Sequence, residues 1–165
     1  MDISPDRTLT ADLCDSHDDA RVAPGDFVNY GAGKACLGPV EVITTENDNS
    51  LVSSTVREPG NGRILVVDNG GSTSCAMVGG DLGRAAHENG WLGIIVDGAI
   101  RDVVELERVP IAIFARTSCP RKSVKRGLGS RGESIEFAGI AVSRDDIAAA
   151  DADGVIFIAA ASFSG

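Results

Sequence analysis

The sequence predicts a layered α/β domain built on a mixed sheet, and three observations predict it. Glycine, present 20 times, separates short runs rich in Val and Ile, the pattern of many short strands joined by tight turns. The middle of the chain alternates strand-like and helix-like periodicity, which gives it strand-helix-strand character. Both ends read as plain β-structure. With 165 residues, 43% hydrophobic and 24% charged, there is room for one hydrophobic core, so residues 1–165 are expected to fold as one domain.

Thr8 or Thr10 is placed to cap a short first helix that runs through Asp15. Strands follow near Phe27 to Tyr30 and Val40 to Thr45, then a helix from about Asn49 to Arg57 that stops before Pro59. Arg63 to Asp68 is a nearly continuous apolar run that empties into Asn69-Gly70-Gly71, as a buried strand does. Gly79-Gly80-Asp81-Leu82 opens a helix in which Leu82, Ala85 and Ala86 recur at helical spacing, and Asn89-Gly90 stops it. A second buried strand, Leu92 to Val96, is expected to turn at Asp97-Gly98 and deliver Ile100-Arg101-Asp102 into a short helix, Val103 to Glu107. Further strands are expected at Ile111 to Ala115, near Ile135 to Val142 and at Val155 to Ala159. Asp151-Ala152-Asp153-Gly154, a fragment of a calcium-loop pattern, reads as a tight turn before the last of them.

Charge and composition narrow the function. A formal net charge of −9 disfavours nonspecific binding to nucleic acid or anionic membranes, both of which rest on surplus positive charge. One segment runs against that balance: Arg116, Arg121, Lys122, Lys125, Arg126 and Arg131 hold six of the fifteen basic residues. It reads first as a solvated loop that offsets the acidic remainder, with an anion or partner site as the alternative. Cys14, Cys36, Cys75 and Cys119 form no Cys-x-x-Cys pair and read as free thiols of a reducing compartment. With only His17 and His87, a histidine-rich metal site or a Ser-His-Asp triad is poorly supplied. A metal would sit on carboxylates, which favours magnesium or manganese over zinc. His87 reads as exposed or at the core edge, and Trp91 as packed where a helix meets a strand. No stretch approaches the roughly 18 apolar residues of a membrane helix, and Met1 to Asp6 lacks the blocks of a signal peptide, so a cytoplasmic location is expected.

Residues just past the carboxyl ends of buried strands are the usual address for ligands in α/β sheets. Gly79 and Gly80 let a ligand approach the backbone closely, and the amides of Gly80, Asp81 and Leu82 can bind a carboxylate with help from the helix dipole. Paired glycines at a turn also serve structure alone. Arg101 carries a planar cationic fork suited to a carboxylate or a developing oxyanion, and Asp102 is a hard oxygen ligand for magnesium. Glu105, three residues on and on the same helical face, is placed to bind a metal-bound water or to brace Arg101. The plain alternative for all three is a surface ion pair at a helix start.

Taken together, Gly79-Gly80-Asp81-Leu82, Gly90-Trp91 with Gly93, Asp97-Gly98-Ala99-Ile100-Arg101-Asp102, Pro120-Arg121-Lys122-Ser123 and Lys125-Arg126-Gly127-Leu128-Gly129 resemble one family. It is the family of the regulator of ribonuclease E activity A and the 4-hydroxy-4-methyl-2-oxoglutarate aldolases, some members of which decarboxylate oxaloacetate. The likeness runs from about Thr10 to Ile158. It implies an α/β/β/α sandwich of the swivelling phosphohistidine-domain type, assembled as a homotrimer with sites at subunit boundaries. It implies that the backbone of Gly79, Gly80, Asp81 and Leu82 holds the substrate carboxylate, that Arg101 contacts the keto acid and that Asp102 carries the metal largely through water. The chain shows no match for the C-terminal acidic residue that some aldolase members contribute from a neighbouring subunit, which leaves aldol cleavage less supported than decarboxylation.

The activity so implied is that of a lyase dependent on magnesium or manganese, which passes through the enolate of pyruvate, with Arg101, Asp102 and Glu105 as the catalytic set. The lysines, Lys34, Lys122 and Lys125, lie in no evident apolar pocket motif, which disfavours a Schiff-base aldolase. The competing reading is a non-catalytic inhibitor that binds ribonuclease E. A methyltransferase or nucleotide loop at Val66 to Gly71 is the weakest, because the spaced Gly-x-Gly-x-x-Gly pattern is absent.

Overall fold

A computed structural model of the chain describes residues 9–163. In chain order the elements are helix α1 (Leu9–Ser16), strands β1 (Arg21–Val22), β2 (Val28–Asn29) and β3 (Cys36–Thr44), helix α2 (Ser50–Val56), strands β4 (Ile64–Asp68) and β5 (Ala76–Val78), and helix α3 (Gly80–Glu88). Strand β6 (Gly93–Ile100), helix α4 (Val103–Leu106), strand β7 (Ala112–Ser118), the pair β8 (Ser134–Phe137) and β9 (Ile140–Ser143), strands β10 (Asp146–Asp151) and β11 (Gly154–Ala159), and helix α5 (Ala160–Phe163) complete the fold. The main sheet has the order β1-β11-β10-β3-β4-β6-β7-β2, with β5 added beside β6. Its centre, β3-β4-β6-β7, is parallel. The two flanks pair antiparallel.

Side-chain alternation sorts the strands into four layers. Leu65, Val67, Ile94, Val96, Ile113 and Ala115 face Val52 and Val56 of α2, Leu82 and Ala86 of α3 and Leu106 of α4. Their sequence neighbours Ile64, Val66, Ile95 and Phe114 face the other way, onto Ala148, Ala150, Val155 and Phe157 of β10 and β11 and Phe137 of the β8-β9 pair. The far side of β10 and β11, through Ala149, Ile156 and Ile158, is covered by Leu9 and Leu13 of α1 with Phe163 of α5. The result is the α/β/β/α sandwich. Strand β3 belongs to both sheet layers: Cys36 to Pro39 pair with β10, and Val40 to Thr44 pair with β4.

Several local expectations shift for physical reasons. Thr10 lies inside α1, and the helix is tied down by Asp151, whose carboxylate accepts the Thr10 amide at 2.9 Å and its hydroxyl at 2.6 Å; Thr8 lies outside the described residues. Asp97-Gly98 does not turn. Neither residue takes a positive φ, and β6 continues through them as a register shift between Val96 and Ala99. The strand expected near Ile135 to Val142 is a hairpin, reversed at Ala138 (φ 50) and Gly139 (φ 85), the left-handed pair that a tight hairpin needs. Strand β10 escapes notice in the sequence because alanine is a poor strand former; burial between β3 and β11 makes it one.

Other readings hold. Asp153 donates its amide to Asp151 Oδ1 at 3.0 Å in the turn before β11. Trp91 is buried between α3 and β6, its indole donating to Glu58 O at 3.1 Å while Arg63 lies 4.8 Å over its ring. His87 is exposed, and all four cysteines are free. Among the described residues no helix is long and apolar enough to cross a membrane.

Candidate active site

Strands β5 and β6 run parallel and end level, Val78 beside Ile100. Parallel neighbours release their carboxyl ends at the same edge of a sheet, so the loops that begin at Gly79 and at Arg101 leave side by side, and the Arg101 amide donates to Val78 O at 2.9 Å. That one pairing brings together two segments that lie twenty-odd residues apart in sequence. They open onto a cavity of about 300 Å³ that both line, Gly79, Asp81 and Leu82 from one and Arg101 and Asp102 from the other.

Asp102 is the hinge of the arrangement. It stands in the left-handed region, φ 60 and ψ 44, as the N-cap of α4, a conformation that costs a non-glycine residue about 1–2 kcal/mol. From there its carboxylate reaches back and accepts the Gly80 amide at 2.9 Å, which satisfies one of the free donors at the start of α3. The glycines make room for this contact. A Cβ on Gly79 would lie 2.6 Å from Asp102 Oδ2, and one on Gly80 would lie 2.1 Å from Glu105 Oε2. The closest approach to this backbone is therefore made by the chain's own carboxylates, and the first-turn amides of Asp81 and Leu82, which have no intrahelical acceptor, are the ones left for a ligand.

Glu105 does not line the cavity. It pairs with Arg84 at 3.1 Å, and Arg84 also pairs with Asp81, so the side chain braces the α3 start through Arg84 instead of bracing Arg101. All three are substantially exposed, and their mutual attraction is correspondingly screened.

The basic segment is more than a solvated loop. Lys122, Ser123 and Lys125 line the cavity, together with Asn49, Ser53 and Arg57 around α2. Arg116 pairs with Asp97 at 2.8 Å, and Arg131 pairs with Glu41 and Glu58. Glu41 is nearly inaccessible, yet it meets Arg63, Arg131 and Arg144. Burial pushes its carboxyl upward, but the bonds from Arg131 and Arg144, with the Val42 amide, outweigh burial and hold it below the usual carboxylate range.

Asp48 positions the same segment beside α2. It is fully buried, accepts the Ser50 amide at 2.9 Å, and takes the amides of Arg126 and Leu128 at 2.7 and 3.2 Å. Burial pushes its carboxyl upward; the Ser50 hydroxyl and these three amides more than offset that and hold it at about 2. Of the cavity residues outside the two strand-end loops, Lys122, Ser123 and Lys125 carry two signals in the sequence, the crowding of basic residues in an acidic chain and the family-like motifs they belong to, whereas Asn49, Ser53, Arg57 and Ala76 carry neither.

Residues 10–157 match the family described as RraA-like: Aldolase/RraA. The chain belongs to this family. A relative from Cupriavidus taiwanensis that carries the provisional name 4-hydroxy-4-methyl-2-oxoglutarate aldolase is 41% identical over 157 residues, 91% of this chain and 94% of that protein. One of the same provisional name from Cupriavidus necator is 42% identical over the same span. Among solved structures, the RNA-processing inhibitor RraA from Thermus thermophilis superposes with a TM-score of 0.87 at 35% identity, over 96% of this chain and 93% of that one. A Geobacillus kaustophilus structure titled S-adenosylmethionine: 2-dimethylmenaquinone methyltransferase gives 0.86 at 38% identity, over 91% and 94%. The RraA-like fold thus comes with three different titles, and the choice of activity rests on the residues of the cavity.

Within this RraA-like chain, no group of three or more His, Cys, Asp or Glu side chains converges among the described residues. A zinc site of the usual kind is therefore not built here. The donor set does suit magnesium or manganese, which bind through one or two carboxylates while water and substrate oxygens fill the other positions. Asp102 is the carboxylate that could hold such an ion: it lines the cavity, and its Oδ2 is fixed by the Gly80 amide.

Proposed function

We propose that this RraA-like chain is a divalent-metal-dependent carbon–carbon lyase that cleaves 4-hydroxy-4-methyl-2-oxoglutarate and decarboxylates oxaloacetate. The observation that carries the reading is the shared exit of β5 and β6, which sets helix amides, a guanidinium and a pinned carboxylate around one cavity. The aldolase names of relatives above 40% identity support it.

Both reactions leave an electron pair on the carbon next to a keto group. Asp102 would hold magnesium or manganese, and the ion, when bound, would supply Lewis acidity toward the keto acid, a contribution of several kcal/mol. The amides of Asp81 and Leu82, at the positive end of α3, bind the carboxylate beside the keto group. Arg101 places fixed positive charge where the keto oxygen becomes an enolate oxygen. Glu105 acts at one remove, through the ion pairs that keep Arg84 and Asp81 in place. Lys122 and Lys125 are exposed, without the apolar surroundings that would make either an imine-forming nucleophile.

The test is a coupled pyruvate assay on each substrate with added magnesium. Turnover should vanish in a chelator, return with magnesium or manganese, and be lost in Asp102→Ala. Full activity in the chelator would overturn the metal-dependent reading. A homotrimer with cavities at subunit boundaries belongs to the same proposal; Val104 and Val124, 65% and 47% exposed, are apolar surface available to neighbours, and light scattering measures the assembly. The likeness to the Thermus RNA-processing inhibitor favours a second reading, binding to ribonuclease E, which a pull-down beside the pyruvate assay distinguishes.

A further inference from the structure

The chain is strongly acidic overall, at −9, yet the cavity gathers four cationic side chains, Arg57, Arg101, Lys122 and Lys125, against the two carboxylates of Asp81 and Asp102. Most of these are committed. Asp81 pairs with Arg84, Arg57 donates to Ser53 O at 2.8 Å, and Lys125 donates to Asn49 Oδ1 at 3.0 Å. The side chains of Arg101 and Lys122 have no ion pair or hydrogen bond among the described residues. Two uncommitted cations in one cavity ask for two anionic groups on the ligand.

The two cations stand on different elements. Arg101 lies beside the α3 start, where the carboxylate next to the keto group binds. Lys122 lies on the extended run 121–125, fixed on one side by the bridge of Ala76 to Lys122 and on the other by that of Asp48 to Val124. Its neighbour Ser123 is 7% exposed and lines the same cavity, and its Oγ is a buried oxygen without a partner. Such a hydroxyl is costly when left alone, and an anionic ligand in the cavity would give it an acceptor.

We propose that Lys122 and Ser123 form a second anion subsite, which holds the carboxylate remote from the keto group and selects keto diacids over keto monoacids. The proposal rests on the lyase reading only for its kinetic consequences. In aldol cleavage the C3–C4 bond breaks, its electron pair enters the enolate, and the C4 hydroxyl gives its proton to water as C4 becomes a carbonyl. The remote carboxylate keeps its charge throughout, so a cation can grip it from start to finish. In decarboxylation that carboxylate itself leaves as carbon dioxide and its charge moves into the enolate, so the same grip stabilises the reactant and slows the step.

Lys122→Ala and Ser123→Ala, assayed as full-length protein, test this. Lys122→Ala should raise KM for 4-hydroxy-4-methyl-2-oxoglutarate about tenfold, the worth of one charge-assisted contact, with little change in kcat. For oxaloacetate its kcat should rise. Equal losses of kcat on both substrates would overturn the subsite. Binding decides the matter independently of turnover: by calorimetry with magnesium present, the unaltered chain should bind 2-oxoglutarate about tenfold more tightly than pyruvate, and the double variant should lose that preference. Equal affinities in the unaltered chain would refute the subsite, whereas absence of turnover with the preference intact would refute only the lyase reading.

Discussion

The carboxylate of Asp102 accepts the backbone amide of Gly80 at 2.9 Å, across 22 positions of sequence. That single bond ties the loop after β6 to the start of α3 and holds an aspartate in a left-handed backbone conformation at the cavity edge. It allows the side chain's part in the fold to be tested apart from the chemical role proposed for its charge.

Three substitutions at this position should therefore rank differently in stability and activity. Asp102→Asn keeps an acceptor for Gly80 and tolerates the left-handed backbone, so unfolding free energy should fall by less than about 1 kcal/mol. Asp102→Ala loses the acceptor and keeps the strain, and should cost about 1–2 kcal/mol. Both should abolish pyruvate release. Urea titration beside the coupled assay measures the two effects, and an active asparagine variant would show that the charge is not needed.

Gly79→Ala places a methyl group 2.6 Å from Asp102 Oδ2. The backbone there is extended, φ −123 and ψ −169, so alanine itself is not strained and the carboxylate must move. Activity should drop by roughly a hundredfold, the scale of misplacing a reacting group by about 1 Å. Thermal melting should shift by only a few degrees. Gly80→Ala displaces the exposed end of Glu105 and should be the milder of the two.

Glu105→Gln breaks an exposed pair with Arg84. Stability should change by under about 1 kcal/mol, and kcat should fall by less than about tenfold, since the group acts through Arg84 and Asp81. Loss of all turnover would place Glu105 at the reacting atoms, where this cavity does not have it.

Acid should loosen the basic segment. Asp48 is held at about 2 in the folded chain, below the roughly 3.9 of an unfolded aspartate. Its stabilising contribution is therefore fully present above about pH 4 and disappears as pH falls toward 2; Glu41, also lowered, acts in the same direction. Asp48→Asn should lower the urea midpoint clearly at pH 6, about half as much at pH 3 and little near pH 2. An equal difference at all these pH values would mean that the ionised carboxylate is not what holds Arg126 and Leu128.

Much of the fold is legible in local pattern. Arg63 to Asp68 and the Gly80 helix were expected within a residue or two of where they form, because a buried parallel strand and an amphipathic helix each leave a periodic trace. Elements decided by distant partners leave little trace: β10 is a strand because β3 and β11 flank it, and α1 is anchored by a residue 141 positions away. The site divides along the same line. Arg101, Asp102 and the paired glycines sit at strand ends, where pattern points. Ser123 and Lys122 enter the cavity through bridges to Ala76 and Asp48, pairings between segments with no shared periodicity.

Strand β3 contributes its first half to one sheet layer and its second half to the other. A single continuous backbone is thus common to both faces of the sandwich, and neither half retains a complete set of ladder partners without it. No cleavage point between Cys36 and Thr44 would yield fragments able to persist alone, and denaturant should melt the antiparallel flank and the cavity-bearing parallel centre in one concerted event.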